Sequence, residues 1–171
     1  MFMHLLLAGM IISQAQGDFP LVTINGDTVW FSSFKGKPLV VIFWSPWCPH
    51  CQHELPEITK LYEKYHKSGV NFIGITRADS ATLEENIKKH NIQYPEFVNA
   101  RDVINQPIFG EIPGVPTTFI FDSQGDVYFK QIGYVPSSVF DEKLSELLKK
   151  EKPQKKKGFW GFLKRLFGGS D

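Results

Sequence analysis

Leu39-Val40-Val41-Ile42-Phe43-Trp44-Ser45-Pro46-Trp47-Cys48-Pro49-His50-Cys51 is the stretch that decides the fold. Its first six residues are apolar, β-branched or aromatic, without a polar interruption, which predicts a central strand buried on both faces. A helix is predicted over residues 49–67. Ile58, Leu61, Tyr62 and Tyr65 form its apolar stripe, Gly69 closes it, and Pro49 suits a first turn, having no N–H to leave unpaired. Pro56 lies inside that helix and predicts a kink. Cys48 therefore stands at a helix N-terminus, where unpaired backbone N–H groups and the macrodipole favour a negative charge. A thiolate is the species that attacks disulfides. Cys51, one turn on and on the same side, is placed to resolve a mixed disulfide.

Upstream, Leu21–Ile24 and Thr28–Phe31 flank Asn25-Gly26, the signature of a two-residue hairpin turn. Downstream, residues 70–76 read as a second buried strand. Ser80 or Thr82 is placed to cap a helix running to about His90, and Thr82 with Glu85 has capping-box spacing. Residues 100–112 suggest a short helix. Residues 117–122 and 127–134 pair across Ser123-Gln124-Gly125-Asp126. Pro136 and Ser137 begin a last helix with Phe140, Leu144, Leu147 and Leu148 on its inner face. A hairpin, a βαβ unit, a further helix, a second hairpin and a closing helix make an α/β domain, with a central mixed sheet and helices on both faces.

The 171 residues suffice for one such domain with short extras, and 15 Phe favour a packed core over disorder. The net charge of +1 hides an asymmetry. Residues 1–148 hold 11 Lys/Arg against 16 Asp/Glu, a net of −5, whereas residues 149–171 hold 8 against 2, a net of +6. The organisation predicted is an export signal over 1–17, the domain over 18–150, a basic linker over 151–157 and an amphipathic segment over 158–171. Leu5–Ile12 has the length of a signal h-region and is too short to span a bilayer. An extracytoplasmic location follows, and nucleic acid is excluded as a partner of an exported protein. In the tail, Phe159, Trp160, Phe162, Leu163, Leu166 and Phe167 share one helical face behind a lysine run, a pattern suited to the surface of an anionic membrane.

Only two cysteines are present, two residues apart, so the chain is not a disulfide-stapled scaffold. The pair is a catalytic dithiol or part of a metal site. A metal-handling module would add His50 and His53, yet four residues of one helix start cannot all converge on one ion. Peroxide reduction on the same fold is disfavoured by the Cys-x-x-Cys spacing. Trp47, Pro49 and His50 are the residues expected to tune the pair, His50 by positive charge or by a hydrogen bond to the Cys48 sulfur. A second constellation, Gly114-Val115-Pro116-Thr117-Thr118-Phe119, enters a strand. A cis bond before Pro116 would free the Val115 backbone to pair with an extended substrate, and a trans-Pro starting a strand is the plain alternative.

Trp47-Cys48-Pro49-His50-Cys51 with Glu54 and Pro56, and Gly114–Phe119 with Asp122 and Gly125, resemble the TlpA/ResA family of exported thiol–disulfide oxidoreductases. The resemblance spans residues 18–150 and implies a thioredoxin-like fold. It implies a nucleophile at Cys48, a resolving cysteine at Cys51, a functional acid at Glu54 and a cis-Pro at Pro116. Val115, Pro116 and Thr117 become substrate-binding residues. No bound cofactor is implied beyond the redox-active Cys48–Cys51 disulfide. Many members reduce disulfides of exported proteins, apocytochrome c among them, and draw on an upstream redox partner. The Pro49-His50 dipeptide departs from that pattern and resembles disulfide oxidants or isomerases of the DsbA type. The whole chain argues for a reductase, because it has no room for the helical insertion of those oxidants.

Overall fold

The computed structural model describes residues 18–151. The predicted export signal, most of the predicted basic linker and the predicted amphipathic segment lie outside them. A two-stranded antiparallel hairpin, β1 (Pro20–Val22) and β2 (Thr28–Trp30), precedes the main sheet. That sheet contains β3 (Leu39–Phe43), β4 (Asn71–Ile75), β5 (Glu96–Phe97), β6 (Thr117–Phe121) and β7 (Val127–Ile132), in the spatial order β5-β4-β3-β6-β7. β3 runs parallel to β4 and antiparallel to β6, so the sheet is mixed. The helices are α1 (Pro49–Tyr65), α2 (Ser80–His90), α3 (Ala100–Val103) and α4 (Ser137–Glu151).

Every residue of β3 is buried, and its side chains alternate between two cores. Val40, Ile42 and Trp44 meet Leu55 and Ile58 of α1 and Phe140, Leu144 and Leu147 of α4. Leu39, Val41 and Phe43 meet Phe19, Phe31, Phe109 and the aromatic residues of β6. The three long helices share the first face. The second is covered by the hairpin, by short α3 and by the aromatic segments around Phe31 and Phe109. Helices on both faces are thus present, but unequally. The reason is β5, a two-residue strand after Pro95 that is too short to show any alternation in sequence. It makes β4–α2–β5 a second parallel crossover moving outward in the same direction as β3–α1–β4. The right-handed rule then puts α1 and α2 on one side.

Three local expectations are corrected. The first hairpin does not turn in two residues at Asn25-Gly26. Thr23 N–H donates to Asp27 O (2.8 Å), leaving the three-residue loop Ile24-Asn25-Gly26. A two-residue turn of the type favoured by Asn-Gly needs positive φ at both positions. Here only Gly26 has it, at +86°. The cap of α2 is Asp79, whose carboxylate accepts from Thr82 N–H (2.9 Å), and neither Ser80 nor Thr82 fills that place. Ser80 instead donates its hydroxyl to Ile24 O (2.9 Å), tying α2 to the hairpin. Finally, Glu151, predicted as linker, ends α4, and its carboxylate accepts from Ser123 N–H (2.7 Å). α1 is one continuous helix through Pro56, whose missing N–H leaves the Gln52 carbonyl without its helical donor.

The hairpin closes the β5 edge. Thr23 bridges Phe97, and Val98 N–H donates to Val22 O (2.9 Å). An unprotected edge would be a template for pairing with other chains.

Candidate active site

The site forms where β3 ends. Antiparallel pairing sets Phe43 opposite Thr117, so the loop leaving β3 lies beside the loop entering β6. This brings Cys48 next to Val115, 67 residues away in sequence. Cys48 is the N-cap of α1, with extended backbone (φ −93°, ψ 113°), and Pro49 takes the first turn. Its sulfur accepts the Cys51 N–H (3.2 Å) and donates to Val115 O (3.5 Å). An N–H of the first helical turn thus points at the Cys48 sulfur. Both cysteines are free thiols in this structure, Cys48 half-buried and Cys51 fully buried. Burial, and then the neighbouring Cys48 sulfur, push the Cys51 thiol far up from its ordinary range.

Trp47 stands out into solvent at 68 % exposure, while Trp44 is buried beneath it in sequence. His50 is exposed, and among the described residues no hydrogen bond joins it to the Cys48 sulfur. His53 packs edge-on against Tyr134 (4.8 Å). Among the described residues no three His, Cys, Asp or Glu side chains converge to hold a metal ion. The Val115–Pro116 bond is cis. Thr117 donates its hydroxyl to Gly114 O (2.7 Å) and is fully buried, so its side chain holds the loop. Val115 is 37 % exposed and faces Cys48.

Glu54 is not the exposed helix residue that its position alone would suggest. It is 2 % exposed, its Oε1 has no hydrogen-bond partner among the described residues, and burial, then the Glu57 charge, raises its pKa to about 8. Glu57, by contrast, accepts from Tyr134 OH (3.1 Å) and Ser137 N–H (2.8 Å), which hold its carboxyl below the ordinary range.

Two participants escaped the sequence reading. Glu96, in β5, reaches across the sheet to accept the Trp44 Nε1–H (2.9 Å), while its other oxygen has no partner among the described residues. Its burial raises its pKa to about 8. Gly74, directly opposite in β4, leaves the room this carboxyl occupies, because any Cβ there would overlap it. Tyr94 lies within electrostatic reach of both Glu96 and Glu54 and is held well above the ordinary tyrosine range by burial first and by those two carboxyls second. The signal that pointed to Glu96 was a lone carboxylate amid Tyr94, Pro95, Phe97 and Val98, beside a glycine-bearing strand. The second is Gln52, whose amide donates to Pro46 O (3.0 Å) and Asn86 Oδ1 (3.1 Å), bracing the loop before Cys48 against α2.

The profile of the AhpC/TSA family matches residues 12–130. The chain belongs to that family. It is 30 % identical over 145 residues to the thiol-disulfide oxidoreductase ResA of Bacillus thuringiensis subsp. konkukian, covering 84 % of this chain and 80 % of ResA. A thiol:disulfide interchange protein of the thioredoxin family from Chlorobium tepidum superposes with a TM-score of 0.68 at 30 % identity, covering 77 % of this chain and 93 % of that one. Chloroplastic peroxiredoxin Q of Triticum aestivum is 30 % identical over 119 residues, of which this chain spans 54 % of the relative's length. With a Cys-x-x-Cys pair heading α1, the chain is a thiol–disulfide oxidoreductase of the ResA type with a thioredoxin-like fold.

Proposed function

We propose that the chain is an extracytoplasmic reductase of disulfides in exported proteins, apocytochrome c being one candidate substrate, recharged by an upstream dithiol protein. The observation that carries the reading is the asymmetry of the pair: Cys48 is accessible and held by an N–H, whereas Cys51 is buried behind it. The Cys48 thiolate attacks one sulfur of the substrate disulfide. The S–S bond breaks, its electron pair leaves on the other substrate sulfur, and that sulfur takes up a proton. Glu54, as the carboxylate, removes the Cys51 proton. Cys51 then attacks the Cys48 sulfur, and the second substrate thiolate leaves and is protonated. Two electrons pass from the Cys48–Cys51 dithiol to the substrate, leaving the Cys48–Cys51 disulfide. The exposed Val115 backbone pairs with the extended substrate as a one-residue strand addition.

Cys51→Ala should accumulate mixed disulfides through Cys48, and Cys48→Ala should accumulate none. Trapping through Cys51 instead would reverse the roles. The resemblance of the Pro49-His50 dipeptide to DsbA-type oxidants, with an N–H directed at the Cys48 sulfur, favours an oxidant as the second reading. The reduction potential separates the readings: about −270 mV, as in thioredoxin, means reductase, and about −120 mV, as in DsbA, means oxidant.

A further inference from the structure

Residues 18–151 contain two arginines, Arg77 just after β4 and Arg101 in α3, and both line one groove. Their placement follows from the backbone: Ala100 N–H donates to Thr76 O (3.2 Å), which sets the start of α3 against the end of β4. The groove opens beside the reactive cysteine as a cavity of about 390 Å³ walled by Trp47, Val115, Ile75, Ile104, Ile112 and Arg77. Three of these, Ile104, Ile112 and Arg77, also wall a neighbouring depression of about 470 Å³ that Arg101, Asn105 and Glu111 complete. The shared walls set the two side by side, with an apolar end at the active site and a cationic end at the arginines.

Among the described residues neither guanidinium is engaged. All four ion pairs among the described residues use lysine, and neither arginine side chain has a hydrogen-bond partner there. Glu111, the one carboxylate on the wall, pairs with neither. Two guanidinium groups without a partner among the described residues form a local cationic spot on a body of net −5. The planar guanidinium fork matches a carboxylate with two parallel N–H bonds, which a lysine cannot supply. The apolar end lies within the range of about 300–1,000 Å³ typical of small-ligand pockets, ample for one aromatic or long aliphatic side chain.

We infer that this groove selects disulfide-bearing polypeptides carrying a large apolar side chain beside the reacting cysteine and an Asp or Glu a few residues further on. The inference rests on the proposed exchange at Cys48 and names the class of polypeptide that exchange prefers. The apolar side chain fills the cavity between Trp47 and Val115, and the carboxylate reaches Arg77 and Arg101.

The test uses the reduced full chain and synthetic disulfide peptides with Leu beside one cysteine and either Glu or Gln placed one to five residues beyond it. Single-turnover rates are read from tryptophan fluorescence. At the best position the Glu peptide should react about five- to tenfold faster than its Gln twin at low salt, an advantage that shrinks as ionic strength rises. In Arg77→Gln/Arg101→Gln the two peptides should react alike, and Arg77→Lys should keep only part of the preference. Equal rates for Glu and Gln peptides at every position in the unmodified chain overturn the inference while leaving the exchange reading intact. A preference undiminished in the double variant overturns the assignment to these arginines. No reduction of any peptide removes the exchange reading and this inference together.

Discussion

The two faces of the main sheet are built on opposite plans. The face away from the long helices is an aromatic stack. Phe109 alone meets the rings of Phe19, Phe31, Phe43, Phe119 and Phe121 at centroid separations of 4.9 to 6.0 Å. The helix-covered face holds Cys51, Glu54, Tyr94, Glu96 and the Trp44 indole, and the five buried side-chain oxygens that lack a partner among the described residues lie there. An unpartnered buried polar atom costs about 1–3 kcal/mol. One face supplies stability that the other gives up to hold titratable groups beside the thiols. The two jobs are separated by the alternation of β3, not by distance along the chain.

Titrating the helix-covered face is the largest way to test that contrast. Glu54 and Glu96 have folded pKa values of about 8 against an ordinary 4.5. Between these values the native state binds more protons than the unfolded chain. The stability these two groups contribute is therefore complete below about pH 4.5 and lost as pH rises through 8. Each carboxyl should add at most about 1.4 kcal/mol per pH unit to the downward slope. Urea unfolding from pH 5 to 8 measures it. Glu54→Gln and Glu96→Gln should each flatten the curve, and an unchanged slope in both would show that these carboxyls are charged in the fold.

Breaking the aromatic face should alter stability and little else. Phe109→Ala should cost about 3–5 kcal/mol, because five rings lose a common neighbour and cannot collapse onto the gap. The thiol titration of the folded fraction should match that of the unmodified chain. A changed titration would mean that the two faces are coupled through β3.

The smallest effect sharpens the contrast at one residue. Glu54→Gln should slow resolution of the mixed disulfide by roughly 10²-fold or less, the lower end of general-base catalysis, and remove its rise as pH approaches 8. Attack by Cys48, which needs no base behind it, should keep its rate. Stopped-flow measurement of the two steps distinguishes this from a merely structural role, which would slow both.

Much of this was legible in the chain. A six-residue apolar run followed by cysteines and a helix start has few ways to fold, because a strand that leads into a helix N-terminus fixes where Cys48 points. Glu54 was placed one turn past Cys51 by helical periodicity, although its burial was not, since that depends on residues distant in the chain, Tyr94 among those near it. β5 was invisible because two residues cannot show a period. The Asn25-Gly26 turn and the α2 cap were misplaced by one step for a similar reason: several local solutions differ by less than the contacts that choose among them.

Local chemistry, then, was enough for the order of the longer elements and for a thiol pair at a helix start, since these depend on periodicity and on the backbone groups of one helix end. Long-range pairing was needed for the rest. The β3–β6 register carries Val115 to Cys48, and Gly74 opposite Glu96 makes space for a carboxyl beneath Trp44. Arg77 and Arg101 meet in one groove because Ala100 hydrogen-bonds Thr76. Contacts between residues tens of positions apart leave no period or spacing in the chain, and they form only when the sheet brings their strands together.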